Sequence, residues 1–181
     1  WAAGSNGSPF LTRTGIRHRD FYQVAVRYER PLFATPGLRL EYLLDLVPAA
    51  MSTNDPVDFT IVPCGNGNEY DGCYQPRTQT VYAAGLSPIG LAVQLFPDAP
   101  VSLRISGTAG ALLFTRRIPD PLAGAFNFTA VAGLSAAVDM THGFALDVGI
   151  LGHHTSNGGT ARANPGLNSR MLMIGVARRG R

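Results

Sequence analysis

Residues 38–47 read LRLEYLLDLV, and apolar and polar side chains alternate along this stretch. Leucine or tyrosine occupies every even position from Leu38 to Leu46, whereas Arg39, Glu41 and Asp45 occupy odd positions. Because successive side chains of a β-strand point to opposite faces, this period of two predicts a strand with one apolar and one polar face. An amphipathic helix would repeat every three to four residues instead.

The same alternation recurs along the chain and predicts seven strands in all. The other six begin near residues 21, 89, 101, 126, 144 and 169. Several run to about ten residues or more, which is enough to cross a bilayer when the strand is tilted. A closed single-chain barrel has an even number of strands, so we expect a short eighth strand within residues 1–14. Pro88 predicts either a bulge or a later start of its strand.

The composition is consistent with strands in which apolar and polar residues alternate, because the chain is hydrophobic on average but has no long hydrophobic segment. The chain has 181 residues, the size of one domain, and 45% are hydrophobic while only 15% are charged. A disordered chain would be less apolar, and a helical membrane protein would contain a run of about 18 apolar residues, which this sequence lacks. A nucleic-acid binder usually carries a dense stripe of basic residues. This chain has a net charge of only +3, so nucleic acid is not an expected partner.

The connections between the predicted strands alternate in length. Short ones lie near residues 31–37, 97–100 and 140–143, and long ones near 49–79, 116–125 and 153–168. Outer-membrane barrels have short periplasmic turns and long extracellular loops. We therefore predict one domain, residues 1–181, folded as an eight-stranded antiparallel transmembrane β-barrel of the outer membrane. A soluble β-sandwich is the alternative, because alternation alone does not tell which face is inside.

The polar faces of the predicted strands carry charges of both signs. An eight-stranded barrel is filled by side chains, so these charges are expected to pair inside it. The residues concerned are Arg27, Glu29, Arg39, Glu41, Asp45, Arg104, Asp139 and Asp147.

The long connection at about 49–79 contains both cysteines, Cys64 and Cys73, in the run CGNGNEYDGC. A zinc site would need more ligands than these two residues supply. A local disulfide in an extracellular loop is the favoured interpretation, and two buried free thiols are the alternative.

The densest group of reactive side chains is the run His154-Thr155-Ser156-Asn157-Gly158-Gly159. His154 and Ser156 are two residues apart and point to the same side of an extended strand. A neutral imidazole close to a hydroxyl can take its proton and activate it as a nucleophile. A polar loop without catalytic function has the same spacing, whereas a metal pair of His153 and His154 is disfavoured because adjacent side chains point apart.

The phase of this run places it on the apolar face of its strand. His154 and Ser156 follow the register of Val148 and Ile150, and Asn168 follows the register of the apolar residues of the last strand. The site is therefore expected on the outer wall of the barrel, where it would face a substrate that resides in the membrane.

The HTSNGG run, the following Asn164-Pro165-Gly166 loop and the alternating last strand resemble the outer-membrane lipid A 3-O-deacylases, the PagL-like, acyloxyacyl hydrolase-related family. The resemblance covers most of the chain from about residue 21. It implies an eight-stranded outer-membrane barrel that hydrolyses the ester-linked acyl chain at position 3 of lipid A without a metal or other cofactor. It also implies His154 as general base, Ser156 as nucleophile, and Asn157 with the Gly159 backbone as oxyanion donors.

One position departs from the family pattern. The family has a catalytic Glu twelve residues after the Ser, and this chain has Asn168 there. An amide can accept a hydrogen bond from imidazole but cannot stabilise imidazolium by charge. The sequence therefore leaves three possibilities open: slower turnover, another orienting residue, or a barrel that has lost activity and serves as a structural or interaction component of the outer membrane.

Two arginines flank the predicted site. Arg162 and Arg170 are candidates for binding a lipid phosphate or the carboxylate of the released acyl chain, and a solvated loop cation is the alternative for Arg162. The expected partners are lipid A or lipopolysaccharide and outer-membrane lipids. At the extracellular loops, the expected partner is a second copy of this chain or another protein. The expected location is the outer membrane, with the site facing its outer leaflet.

Overall fold

A computed structural model describes residues 2–6, 19–54, 58–63, 72–77, 80–119, 122–164 and 166–178. The strands, in chain order, are β1 (Ala2–Asn6), β2 (Arg19–Thr35), β3 (Leu38–Asn54), β4 (Asp58–Pro63), β5 (Gly72–Arg77), β6 (Thr80–Leu95), β7 (Val101–Phe114), β8 (Phe126–Asp139), β9 (Phe144–Ser156) and β10 (Leu167–Arg178). The turn Thr141–Gly143 between β8 and β9 is a short 3-10 helix. No helix in this described part of the chain is long and apolar enough to cross a membrane.

The long strands form one antiparallel sheet, in the order β10-β9-β8-β7-β6-β3-β2. The short strand β1 lies where the eighth strand was expected and pairs with both outer strands. Its Ala2 lies opposite Ile174 of β10 and Val24 of β2, which gives the strand order of a closed barrel. Strands β4 and β5 form a separate two-stranded sheet within the connection from β3 to β6. The prediction of an all-β antiparallel fold is confirmed.

The alternation in the sequence appears as an outward apolar face and an inward polar face. On β2, Val24 and Val26 are exposed, whereas Gln23 and Ala25 are buried. The outward positions of the other long strands are likewise apolar and exposed, for example Ile105, which is 54% exposed. A soluble β-sandwich would pack such faces against each other, so this arrangement argues against that alternative.

The buried charges on the inward face are paired, as the sequence predicts. Arg104 is surrounded by carboxylates from three other strands. It hydrogen-bonds Glu29 at 2.5 Å and also Glu41, and its NH1 lies 3.9 Å from Oδ2 of Asp147. Low-dielectric surroundings make such contacts strong and make any unpaired member costly.

A second ion pair and an apolar cluster complete the inward face. Arg27 donates two hydrogen bonds to Asp45, at 2.6 and 2.8 Å, in the fork geometry that guanidinium and carboxylate share. The apolar cluster includes Phe21 and Val81 together with Leu151 and Met171. Phe21 lies nearer the long connections than Arg27 of the same strand, and Leu151 lies nearer them than Asp147 does, so apolar and charged residues occupy different levels of the interior.

The strand ends differ from the sequence predictions. β3 continues to Asn54 and β6 already begins at Thr80, so residues 55–79, rather than 49–79, connect them. The additional residues of β3 pair with those of β6, for example Ala50 with Ala83. This pairing satisfies backbone N–H and C=O groups that a loop would expose to water. The ladders are irregular between Val47 and Ala50 and between Leu86 and Ile89, next to Pro48 and Pro88. Pro88 therefore lies at a bulge within a continuing strand.

The disulfide prediction falls outside the described part of the chain. Cys64 is not among the described residues, and Cys73 is described only as a backbone position of β5 opposite Val62. The structure therefore lends the predicted Cys64–Cys73 bond no support.

The carboxylates around Arg104 lead to a prediction about stability. We expect Arg104→Ala to lower the free energy of unfolding by about 3–5 kcal/mol, because it leaves buried carboxylates without their cation. Urea unfolding of the protein folded in detergent, followed by its mobility in gels, measures the change. Arg30→Ala removes the same charge from an exposed position and is the matched control. Equal unfolding midpoints for Arg104→Ala and wild type would contradict the role given to this ion-pair cluster.

Candidate active site

The register of β9 against β10 brings two predicted site residues together. His154 lies opposite Asn168, and both are half-buried on the outward face. His154 Nδ1 lies 2.7 Å from Asn168 Oδ1. Because an amide oxygen only accepts, the hydrogen bond requires a proton on Nδ1. Nε2 of the neutral imidazole then carries the free lone pair, which is the state a general base needs.

Ser156 lies on the same outward face, at the end of β9. It pairs with Phe128 of β8 and is half-buried. Gly166, just before β10, packs over both site residues. A Cβ added at Gly166 would lie 3.2 Å from Cε1 of His154 and 3.9 Å from Cβ of Ser156. The imidazole and the serine therefore border the same small space.

His153 points into the barrel instead. It is 4% exposed, its ring lies 4.7 Å from that of Phe21, and its Nε2 is 3.2 Å from Oγ1 of Thr155. The two histidines thus lie on opposite faces of β9, as the alternation requires. Among the described residues, no group of three or more His, Cys, Asp or Glu side chains is arranged to hold a metal ion.

Asn157 organises the loop that follows Ser156. Its side chain is almost fully buried, and its Nδ2 donates to the carbonyl oxygen of Ala163 at 2.6 Å. The Gly159 N–H donates to Oδ1 of Asn157 at 2.9 Å, and the Asn157 N–H donates to Oδ1 of Asn164 at 3.0 Å. The donors predicted for the oxyanion are thus engaged within the loop in this structure. Asn164 is a loop-closing residue that sequence reasoning gave no role, since its partner lies seven positions away without any periodic pattern.

An apolar groove of about 640 Å³ runs along the outward wall next to the site. Small residues form its floor, notably Ala132 and Gly152, which pair with each other across β8 and β9. Larger apolar side chains such as Leu134, Ile150 and Leu172 also line it. The floor continues the row of Ala130 and His154, so the groove lies in line with the imidazole.

The two flanking arginines lie at different cavities. Arg170 is exposed and lines the apolar groove. Arg162 is exposed and lines a second cavity, of about 870 Å³, which residues 122–126 and 160–161 also line. Arg117 lines that second cavity as well. Sequence reasoning did not select Arg117, because no local pattern links it to the site.

Fold and site together define a class: antiparallel β-proteins with an apolar outer wall that carries a candidate His–Ser pair oriented by a third residue. The model of the lipid A 3-O-deacylase (PagL) family matches residues 20–177. The chain therefore belongs to the lipid A 3-O-deacylase (PagL) family, and the resemblance seen in the sequence is confirmed.

One solved structure supports the fold. The chain is similar to the crystal structure of the outer membrane enzyme PagL, with a TM-score of 0.61 and 15% identity over 96% of this chain and 95% of that one. At this identity the likeness concerns the fold. No curated protein matches the chain.

The position of Gly166 gives a prediction about the imidazole. Gly166 has a φ of +64°, a conformation that costs other residues about 1–3 kcal/mol, and its Cβ would press on His154. If His154 is the general base that the sequence predicts, we expect Gly166→Ala to lower kcat for hydrolysis of an acyl ester by about tenfold, because a small displacement of such a group is costly.

Gly143→Ala separates backbone strain from the contact with His154. Gly143 has a φ of +77°, but no atom lies within 4 Å of an added Cβ. This variant should lose similar stability and keep kcat within about twofold of wild type. Equal kcat values for the two variants would show that Gly166 does not position the imidazole.

Proposed function

We propose that this protein is an outer-membrane esterase that removes an ester-linked acyl chain from lipid A by a Ser/His mechanism. The observation that carries the proposal is the hydrogen bond between His154 Nδ1 and Asn168 Oδ1, beside Ser156 on an apolar outward wall. Membership of the lipid A 3-O-deacylase family supports the substrate and the reaction class.

In the proposed first step, Nε2 of His154 accepts the proton of the Ser156 hydroxyl while Oγ attacks the ester carbonyl carbon. The tetrahedral intermediate collapses, the imidazolium gives its proton to the departing sugar oxygen, and an acyl-serine remains. In the second step His154 takes a proton from water, which attacks the acyl-serine. The products are the free fatty acid and the regenerated Ser156.

The negative charge that develops on the carbonyl oxygen needs hydrogen-bond donors. Asn157 and the Gly159 N–H are the proposed donors, carried over from the family resemblance. Both are engaged within the loop in the unliganded arrangement, so this part of the proposal requires the loop to exchange those bonds when substrate binds. Catalytic hydrogen bonds often form fully only in the substrate complex.

Asn168 takes the orienting role in this proposal. Its amide oxygen holds the tautomer of His154, which is the part of the orienting role that a neutral group can supply. It lacks the charge that would stabilise the imidazolium formed during turnover. The proposal therefore includes a lower rate than a carboxylate at this position would give.

The proposed setting is a closed eight-stranded barrel that spans the outer membrane, with β1 closing it between β2 and β10. The exposed apolar residues of the outward face support this, because a water-soluble protein seldom exposes such a large continuous apolar surface. The groove of about 640 Å³ then accommodates the acyl chain in line with His154, and the site faces the outer leaflet. The long connection with Cys64 and Cys73 would lie outside the cell, and its disulfide belongs to the same proposal.

Mass spectrometry of lipid A after incubation with the folded protein tests the function. Wild type should release an ester-linked acyl chain, and His154→Ala and Ser156→Ala should lower that rate by about 10³-fold or more, since each removes a group that acts on the reacting atoms. Unchanged lipid A in all samples, wild type included, would instead favour an inactive barrel with a structural or interaction role, the alternative that Asn168 suggests.

Asn168→Glu is the informative fourth variant in the same experiment. A hydrogen bond to a charged group contributes about 1.5–3 kcal/mol, against about 0.5–1.5 kcal/mol for a neutral one. Expressed as a rate, the difference corresponds to roughly a tenfold gain, which we expect for Asn168→Glu. A rate no higher than that of wild type would show that another residue orients His154.

A further inference from the structure

We infer that His153 and Thr155, on the inner face of β9, position the candidate base and nucleophile on its outer face. Both side chains are 4% exposed, and a hydrogen bond of 3.2 Å joins Nε2 of His153 to Oγ1 of Thr155. Neither residue has a part in the proposed chemistry. The inference rests on the proposed function, because it assigns the two residues a positioning role toward His154 and Ser156.

His153 is held from two directions. Burying a polar ring costs free energy unless its nitrogens find partners, and Thr155 supplies a partner for Nε2. The ring also lies 4.7 Å from that of Phe21 on β2, a strand separated from β9 by β10 and β1 in the sheet order. His153 therefore ties the inner face of β9 to another part of the barrel wall.

Ser156 lies at the point where β9 is least constrained. It is the last residue of β9, and among the described residues its strand partner is Phe128 of β8, with none on β10. Thr155 still has partners on both sides, Leu167 and Thr129. Because strand ends open locally at low free energy, a bond that fixes Thr155 limits the movement of the nucleophile next to it.

The inner hydrogen bond and the outer site share one backbone segment. Side chains two residues apart on one face of a strand are separated by about 6.5 Å along the chain. The bond from His153 to Thr155 spans this interval on the inner side of His154. A rotation of the peptide groups beside His154 would separate Nε2 from Oγ1 on the inner face. The same rotation would turn the imidazole away from Asn168 and Ser156 on the outer face.

A loss of this constraint should affect the chemical step more than substrate binding. Proton transfer from Ser156 to His154 depends steeply on the distance and orientation of the two groups. The apolar groove proposed for the acyl chain is lined by other residues, and neither His153 nor Thr155 is among them. We therefore expect a lower kcat with an unchanged KM.

Thr155→Val in the folded protein tests the inference. Valine keeps the β-branched shape of threonine and removes only the hydroxyl group. We expect kcat for acyl release from lipid A, per folded molecule, to fall about tenfold, with KM within about twofold of wild type. His153→Phe keeps a ring against Phe21 but removes Nε2, and it should give the same result. Because both substitutions break one bond, the double variant should lose no more than either single variant.

Thr129→Val is the matched control, and Thr155→Ser is the rescue. Thr129 lies opposite Thr155 on β8 and is also buried on the inner face, but in the described part of the chain His153 bonds to Thr155 and not to Thr129. Thr129→Val should keep the wild-type kcat, and so should Thr155→Ser, which retains the hydroxyl. Three results would each overturn the inference: wild-type kcat in Thr155→Val, losses that multiply in the double variant, or an equal loss in Thr129→Val.

A spectroscopic measurement separates this inference from the proposed function. In protein labelled with 15N-histidine, the Nδ1–H resonance of His154 reports on the hydrogen bond to Asn168, whether or not the protein is an enzyme. His154→Ala identifies this resonance by its loss. We expect Thr155→Val to move it upfield, the direction of a weaker hydrogen bond, and Thr129→Val to leave it in place.

The two failures then differ. An upfield shift in Thr155→Val, with no acyl release by wild type, would refute the esterase proposal alone. Acyl release by wild type, with the His154 resonance unmoved in Thr155→Val, would refute the positioning role alone.

Discussion

The register of β9 against its neighbours is the constraint on which the rest of the structure depends. Because side chains alternate with a period of two, a slip of one residue would turn His154 into the barrel and bring His153 out. Two inward contacts of β9 oppose such a slip. Asp147 Oδ2 lies 3.9 Å from NH1 of Arg104, and His153 packs on the ring of Phe21. The candidate site on the outer wall is thus held by contacts on the inner one.

This arrangement explains why charged residues fill the interior of a protein with an apolar exterior. A buried ion pair contributes little net stability compared with apolar packing, but an unpaired charge is costly. Arg27 is paired with Asp45, and Arg104 with Glu29 and Glu41, only when their strands are in the observed register. We therefore regard these pairs as specifying strand order and register, which a uniformly apolar interior would leave less defined.

The sequence predicted the faces of the strands and the outward phase of the site, because both follow from a local period of two. It did not predict where β3 ends or β6 begins, since Pro48 and Pro88 are accommodated at irregular pairings that depend on the neighbouring strand. The contact between His154 and Asn168 was anticipated from the family pattern, and its geometry comes from the β9–β10 ladder. Arg117 was missed, because only the folded loops bring it to the same cavity as Arg162.

The central claim is that His154 activates Ser156 on the outer wall. Its most direct test is intact-protein and peptide mass spectrometry after exposure of the folded protein to a long-chain alkyl fluorophosphonate, which modifies a serine only when a base activates it. The account predicts one adduct, on Ser156, in the wild-type protein and none in His154→Ala. An unmodified Ser156 in wild type, or equal modification in His154→Ala, would contradict it.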